Sequence, residues 1–177
     1  MIIRKAVPDE AENLLKLLNS VDGSNFMLYG PGERKTSIEE QSDRIKRLND
    51  DERSEAFVAD HNGELDGYLL IIGNMPQRIR HTIYLVVGVS ERSRGKGIGT
   101  MLFEAMEKWA KQHKIHRMEL TVLAHNLAAL SLYRKMGFEI EGTKRDSLYM
   151  DGKYVDEYYM SKLLLRDPNP TGIARKF

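Results

Sequence analysis

The run IYLVVGVSERSRGKGIGTMLFEAMEKWAKQH, residues 83–113, constrains this chain most. Ile83 to Val89 is apolar at consecutive positions, which predicts a central strand covered on both faces. From Leu102 the apolar residues recur at helical spacing, with Met106, Trp109 and His113 on one side and Met101 and Ala105 beside them. Between the two lies a turn with glycine at 95, 97 and 99 and cations at Arg92, Arg94 and Lys96. A helix N-terminus carries unsatisfied N–H groups and a partial positive charge. Glycines just ahead of it let a phosphate approach the backbone, and Arg94 and Lys96 add formal charge. The competing reading is a solvated turn that happens to be basic. Coincidence of buried strand, alternating glycines and cations favours phosphate.

Neither common nucleotide loop fits. G-x-x-x-x-G-K-[ST] is absent. Gly95-Lys96-Gly97-Ile98-Gly99-Thr100 has the wrong third spacing for G-x-G-x-x-G. Glu119 falls near where a ribose-binding acid would lie, but in mid-strand, so the dinucleotide reading ranks second.

With 177 residues, one domain with a sizeable core is expected, over residues 1–166, with 167–177 as a C-terminal tail. The net charge of +1 gives no global field for nucleic acid or an anionic membrane, so any anion site must be local. The absence of cysteine removes disulfides, thiolate metal sites and cysteine nucleophiles together, and suits a reducing cytoplasm. The opening MIIRKAVPDE has no apolar signal core and no run approaches membrane-spanning length, so a cytoplasmic protein is expected.

Residues 1–7 read as a strand and residues 8–21 as a helix starting near Pro8. A long Gly/Pro-containing loop follows, then a polar helix whose Ser37 and Glu40 suggest a capping box. Asn62-Gly63 predicts a tight hairpin. Gly88 interrupts its strand's side-chain wall, which marks a bulge or a close backbone approach. Glu104–Lys108 and Glu107–Lys111 are spaced to pair along the long helix. RMELTVL is a strand, and a short helix runs from an Asn126 N-cap to a Gly137 stop. A last hairpin turns at Asp151-Gly152. The order β-α-α-β-β-β-α-β-α-β-β implies an α/β (α+β) fold: a mixed sheet with helices on both faces.

Arg94-Gly95-Lys96-Gly97-Ile98-Gly99 matches [QR]-x-x-G-x-[GA], and Asn126, Ala129, Tyr133, Gly137 and Phe138 follow about thirty residues later. On these residues the chain resembles the GNAT superfamily of N-acetyltransferases, from about residue 78 to 165. The resemblance implies a mostly antiparallel sheet of about seven strands with a splayed central parallel pair. It also implies acetyl-CoA as cosubstrate, with no metal. The pyrophosphate would lie on the N–H groups of Arg94, Gly95, Lys96, Gly97, Ile98, Gly99 and Thr100. The pantetheine arm would slot between residues 83–89 and 118–123, with Val87 and Val89 offering backbone groups and Gly88 as the bulge. Asn126 would contact the cofactor. Tyr133, on the same helical face as Asn126, would protonate the departing thiolate; otherwise it is a core tyrosine.

An acyltransferase acting by direct amine attack in a ternary complex is thus implied, with a backbone N–H near Val89 for the oxyanion. Many relatives place a glutamate on the strand before the signature loop; HTIYLVVGV has none. Glu119 and His81 are the candidate bases, with outward-facing and edge positions as the alternatives. His113 and His116 suit a metal in spacing, but a solvated helix end accounts for them. His125 falls in a loop near the expected site. Phe26, Tyr29 and Glu33 would line the acceptor pocket. Tyr149, Tyr154, Tyr158 and Tyr159 form a wall there or cross-strand pairs.

The expected acceptor is a small primary amine such as an amino acid, with a protein N-terminus of the ribosomal-protein type as the alternative. No nucleic-acid or membrane partner is expected, and a homodimer is a candidate assembly. Two readings from other classes stand beside it: a non-catalytic acetyl-CoA-binding module, and RNA binding through RSRGKG, which would need interleaved aromatics and a basic surface.

Overall fold

The structure is a computed structural model that describes residues 1–164; the expected tail at 167–177 lies outside them. Eleven elements follow in the anticipated order. They are β1 (Ile2–Lys5), α1 (Ala11–Asp22), α2 (Ile38–Asp50), β2 (Glu55–His61), β3 (Glu64–Gly73), β4 (Thr82–Val89), α3 (Ile98–Gln112), β5 (Arg117–Leu123), α4 (Leu127–Lys135), β6 (Glu139–Met150) and β7 (Lys153–Leu163). Short 3-10 turns at Pro8–Glu10, Gln77–Ile79 and Glu91–Ser93 link them.

The strands form one seven-stranded sheet in the order β1-β2-β3-β4-β5-β7-β6. Every neighbouring pair is antiparallel except β4 and β5. Side-chain alternation sorts the strands' apolar residues onto two faces. Phe57, Leu69, Ile71, Ile83 and Leu85 pack with Leu102, Phe103 and Met106 of α3 and Leu130 of α4. Ala56, Val58, Tyr68 and Leu70 pack with Leu14, Leu18 and Val21 of α1 and Ile45 of α2. Two cores on opposite sides of one sheet are therefore each closed by two helices.

The local signals hold. Ser37 Oγ accepts from Glu40 N at 3.1 Å, and Glu40 accepts from Ser37 N at 2.8 Å, completing the capping box on α2. Asn62 and Gly63 both take positive φ (55° and 89°), as do Asp151 and Gly152 (50° and 76°), the conformation these two tight turns require.

Three expectations fail. Gly88 is no bulge: β3 and β4 stay in register from Gly67↔Val89 to Gly73↔Ile83. Its bare Cα serves close approach instead, because a Cβ there would lie 2.6 Å from Tyr68 Cε1 and 2.7 Å from Val21 Cγ1. Glu107 reaches across to Lys162 of β7 rather than to Lys111, and Glu104 and Lys108 form no ion pair among the described residues. β4 is not covered throughout, since Tyr84, Val86, Val87 and Val89 are only half-buried.

Candidate active site

β4 and β5 pair only over Thr82↔Arg117, Ile83↔Met118 and Tyr84↔Glu119. Beyond Tyr84 and Glu119 they part, leaving facing backbone edges without a partner strand. The Tyr84 hydroxyl and Thr121 Oγ1, 2.9 Å apart, bridge the strands near the point of divergence. The opening belongs to a cavity of about 740 Å³, and the half-buried β4 residues line it. That accounts for their incomplete burial.

The glycine turn forms one end of this cavity. Gly97 is the N-cap of α3 in the left-handed conformation (φ 81°), and no side chain caps the helix. Gly95 also has positive φ (74°), and open space surrounds the Cβ position at both residues. L-residues other than glycine visit this conformation at a cost, so both positions are glycine for conformational reasons. Gly99 differs: a Cβ there would meet Leu132 Cδ2 at 2.6 Å, so it lets α4 approach α3. The turn is anchored by Asp66, 4% exposed, whose carboxylate accepts from Ser93 Oγ at 2.8 Å and Arg92 Nη2 at 3.2 Å. Arg92 is thereby occupied, with Glu64 as its other partner. Arg94, Gly95, Gly97, Ile98, Gly99 and Thr100 line the cavity; Lys96 is exposed at its rim.

α4 supplies two lining residues. Asn126 caps the helix by accepting from Ala129 N at 3.2 Å, which leaves its amide N–H groups available. Tyr133 is 7% exposed, its ring edge-on to Phe103 at 5.6 Å and beside Phe138 at 6.2 Å. Burial pushes its hydroxyl pKa up from the ordinary tyrosine value, so the group keeps its proton. Asn126 and Tyr133 line the same cavity, as a seven-residue spacing predicts.

The rest of the lining comes from elsewhere. Phe26 and Tyr29 line it; Glu33 does not, because its carboxylate accepts from Gly30 N at 2.8 Å within its own loop. Phe26 lies 5.8 Å from the His125 ring. Arg34, 8% exposed at its side chain, holds buried Asp22 through two bonds, 2.7 and 3.2 Å, and lies 4.4 Å over the Tyr29 ring. Arg44 also lines the cavity and forms no ion pair among the described residues. From β7 comes Glu157, 9% exposed, which accepts from Ser147 Oγ at 2.8 Å and Lys144 Nζ at 3.1 Å. Burial would raise its pKa, but these bonds outweigh burial and hold the carboxyl below the usual range.

Neither candidate base is brought here. Glu119 does not line the cavity; it is bonded by Arg117, which also grips Glu141, so it belongs to a surface network on the sheet. His81 sits before Thr82, at the far end of β4, with its ring 6.1 Å from His116. His113 is exposed at the C-terminal end of α3, as a solvated helix end predicts, and stacks on Trp109 at 3.9 Å. Tyr149 and Tyr154 are a cross-strand pair, rings 5.0 Å apart, and with Tyr158 and Tyr159 they stay outside the lining. Glu157 is the carboxylate that lines the cavity, and sequence reasoning missed it. No local signal marks it; its position follows from the β5–β7 register Leu123↔Glu157.

The sheet thus opens at its one parallel pair, beside an uncapped helix N-terminus. Residues 24–138 match the Acetyltransferase (GNAT) family, so the chain belongs to it and is an N-acetyltransferase-type acyltransferase. It is 34% identical over 119 residues to an L-amino acid N-acetyltransferase of Escherichia coli strain K12, covering 67% of this chain and 74% of that one. A GNAT-family acetyltransferase of Streptococcus pneumoniae superposes with a TM-score of 0.88 at 31% identity, over 92% of this chain and 98% of the other. The phosphinothricin acetyltransferase of Sinorhizobium meliloti, solved with acetyl-CoA, shares the fold (TM-score 0.79, 21% identity, 92% and 88% covered). Among the described residues no helix is long and apolar enough to cross a membrane.

Proposed function

We propose that this cavity transfers an acetyl group from acetyl-CoA to a small primary amine. The observation that carries the proposal is the juxtaposition of an uncapped, glycine-opened helix N-terminus, an unpaired slot between β4 and β5, and a buried tyrosine hydroxyl along one cavity. The residues fit the cosubstrate. N–H groups of Gly95 to Thr100 and the charges of Arg94 and Lys96 would hold its pyrophosphate. Backbone groups of Val87 and Val89, unpaired on the β5 side, would hydrogen-bond its pantetheine arm as a strand neighbour does. Asn126 would donate from its free amide N–H. Acetyl-CoA supplies the activated acyl group and a thiol leaving group.

Tyr133 retains its proton and would donate it, or a hydrogen bond, to the sulfur as negative charge develops there. Glu157 takes the place expected of Glu119, with a different job. A carboxylate held low in pKa is a poor proton acceptor, but it stays ionised and draws a cationic amine into the cavity. An α-amino group with a pKa of about 8, as at a peptide N-terminus, is about a tenth neutral at pH 7, and the more basic amine of a free amino acid or alkylamine is less so. The full cavity, about 740 Å³, is within the size range of small-ligand sites.

The test is a panel of small amines and short peptides with free N-termini, assayed for CoA-thiol release. Turnover above background with small amines is the expected result. Background release across the panel while acetyl-CoA still binds would leave a binding module, and turnover confined to peptides would move the acceptor to protein N-termini.

A further inference from the structure

The two buried side-chain polar atoms without a hydrogen-bond partner among the described residues are Tyr68 Oη and Gln41 Oε1. Both residues line the cavity, at 1% and 3% exposure. A buried polar group left unpaired is costly, so such a pair marks where a ligand's polar groups fit. Their placement is specific. A Cβ at Gly88 would lie 2.8 Å from Tyr68 Cζ, the carbon that carries the hydroxyl, so this phenol lies directly on β4 between Val87 and Val89. Tyr68 and Tyr133 line the same cavity. The unpaired hydroxyl therefore lies against the stretch of β4 that borders the slot.

The charges around Tyr68 are Asp22, Arg34 and Arg44. One carboxylate and two guanidiniums leave one positive charge, and Arg34 is already committed to Asp22. That excess is wrong for a polyamine tail and right for an anion. Farther along the wall, Leu18, Met27, Leu48 and Leu70 present an apolar surface without charge.

We infer that the acceptor is an α-amino acid with an apolar side chain, its carboxylate received by the Tyr68 O–H and Arg44 and its amino group by Gln41 Oε1. The α-carboxylate and amine of such a molecule are adjacent, which suits one unpaired donor and one unpaired acceptor lining a single cavity. Leu18, Met27, Leu48 and Leu70 take the side chain. The inference rests on the acetyl-transfer reading for where the amine must point.

Matched pairs test it with the full chain and acetyl-CoA: L-leucine against isoamylamine, L-methionine against 3-(methylthio)propylamine, and L-phenylalanine against phenethylamine. At least one amino acid should exceed its decarboxylated partner in kcat/KM by about 10²-fold, since leaving a buried polar group unpaired costs about one to two factors of ten. Tyr68→Phe and Arg44→Gln should each collapse that preference by about tenfold or more, with the loss in KM. Calorimetric titration of the three amino acids into the CoA-bound protein provides a readout independent of turnover. Binding that weakens in Tyr68→Phe supports the carboxylate subsite even if no acetyl transfer occurs, and in that case the transfer reading alone falls. Amines that match or surpass their amino acids overturn the subsite while leaving acetyl transfer intact. Neither binding nor turnover of any of the three amino acids also overturns it.

Discussion

The two ends of the cavity are built on different principles. At the turn, the proposed contacts are main-chain N–H groups of residues 94–100, which are adjacent in the chain. At the other end the lining is side chains from α1, its following loop, α2, β3 and β7, brought together by the fold. A site made of backbone tolerates many sequences but demands particular conformations, hence Gly95 and Gly97 at positive φ. A site made of side chains can change its ligand with every substitution. The contrast teaches that family membership reads from the first end and acceptor choice from the second.

That contrast can be broken experimentally. The largest effect is expected at the acceptor end, where Asp22→Ala leaves the Arg34 guanidinium buried without its partner. Losing one member of a buried pair costs about 3–5 kcal/mol, readable as a lower urea midpoint; a loss under about 1 kcal/mol would show that the pair is not a structural support. Next, Tyr133→Phe should lower kcat about 10²-fold, or about 2.7 kcal/mol, with acetyl-CoA affinity nearly unchanged by calorimetry. Equal loss in both would assign the hydroxyl to binding. Gly88→Ala puts a Cβ against Tyr68 and Val21 and should destabilise by about 1–3 kcal/mol through overpacking.

A stabilising change is expected from Tyr68→Phe in the ligand-free protein. Removing an unpaired buried hydroxyl should raise stability by about 1 kcal/mol, or Tm by about 2–4 °C. A lower Tm would mean that the hydroxyl is satisfied and would weaken the acceptor subsite. The smallest effect concerns a surface network outside both ends. Bonding to Arg117 holds the Glu141 carboxyl down to about 2 from its ordinary 4.5. A depressed folded-state pKa gives stability that is present above about 4.5 and lost as pH falls toward about 2. Glu141→Gln should flatten that acid limb, by less than about 1 kcal/mol because the pair is partly exposed.

How far the sequence could be read follows the same division. The turn, the hairpins at Asn62-Gly63 and Asp151-Gly152 and the caps at Ser37 and Asn126 were legible because each depends on residues within a few positions. Gly88 announced a close approach but not its partner, since Tyr68 lies a strand away. Glu107 looked paired within α3 until β7 offered Lys162. Glu157, Gln41 and Arg34 carried no local mark at all. Their positions are set by the β5–β7 register, the rotation of α2 and the path of the loop before it, none of which short-range pattern determines.

The most direct measurement is a melting-temperature titration of the full chain with acetyl-CoA, CoA, NAD and ATP. At a hundredfold excess over Kd a ligand adds about 2.7 kcal/mol, so acetyl-CoA and CoA should each raise Tm by about 5–11 °C, with NAD and ATP near zero. Stabilisation by NAD in preference to the CoA ligands would contradict the assignment of the glycine turn to the pyrophosphate of coenzyme A.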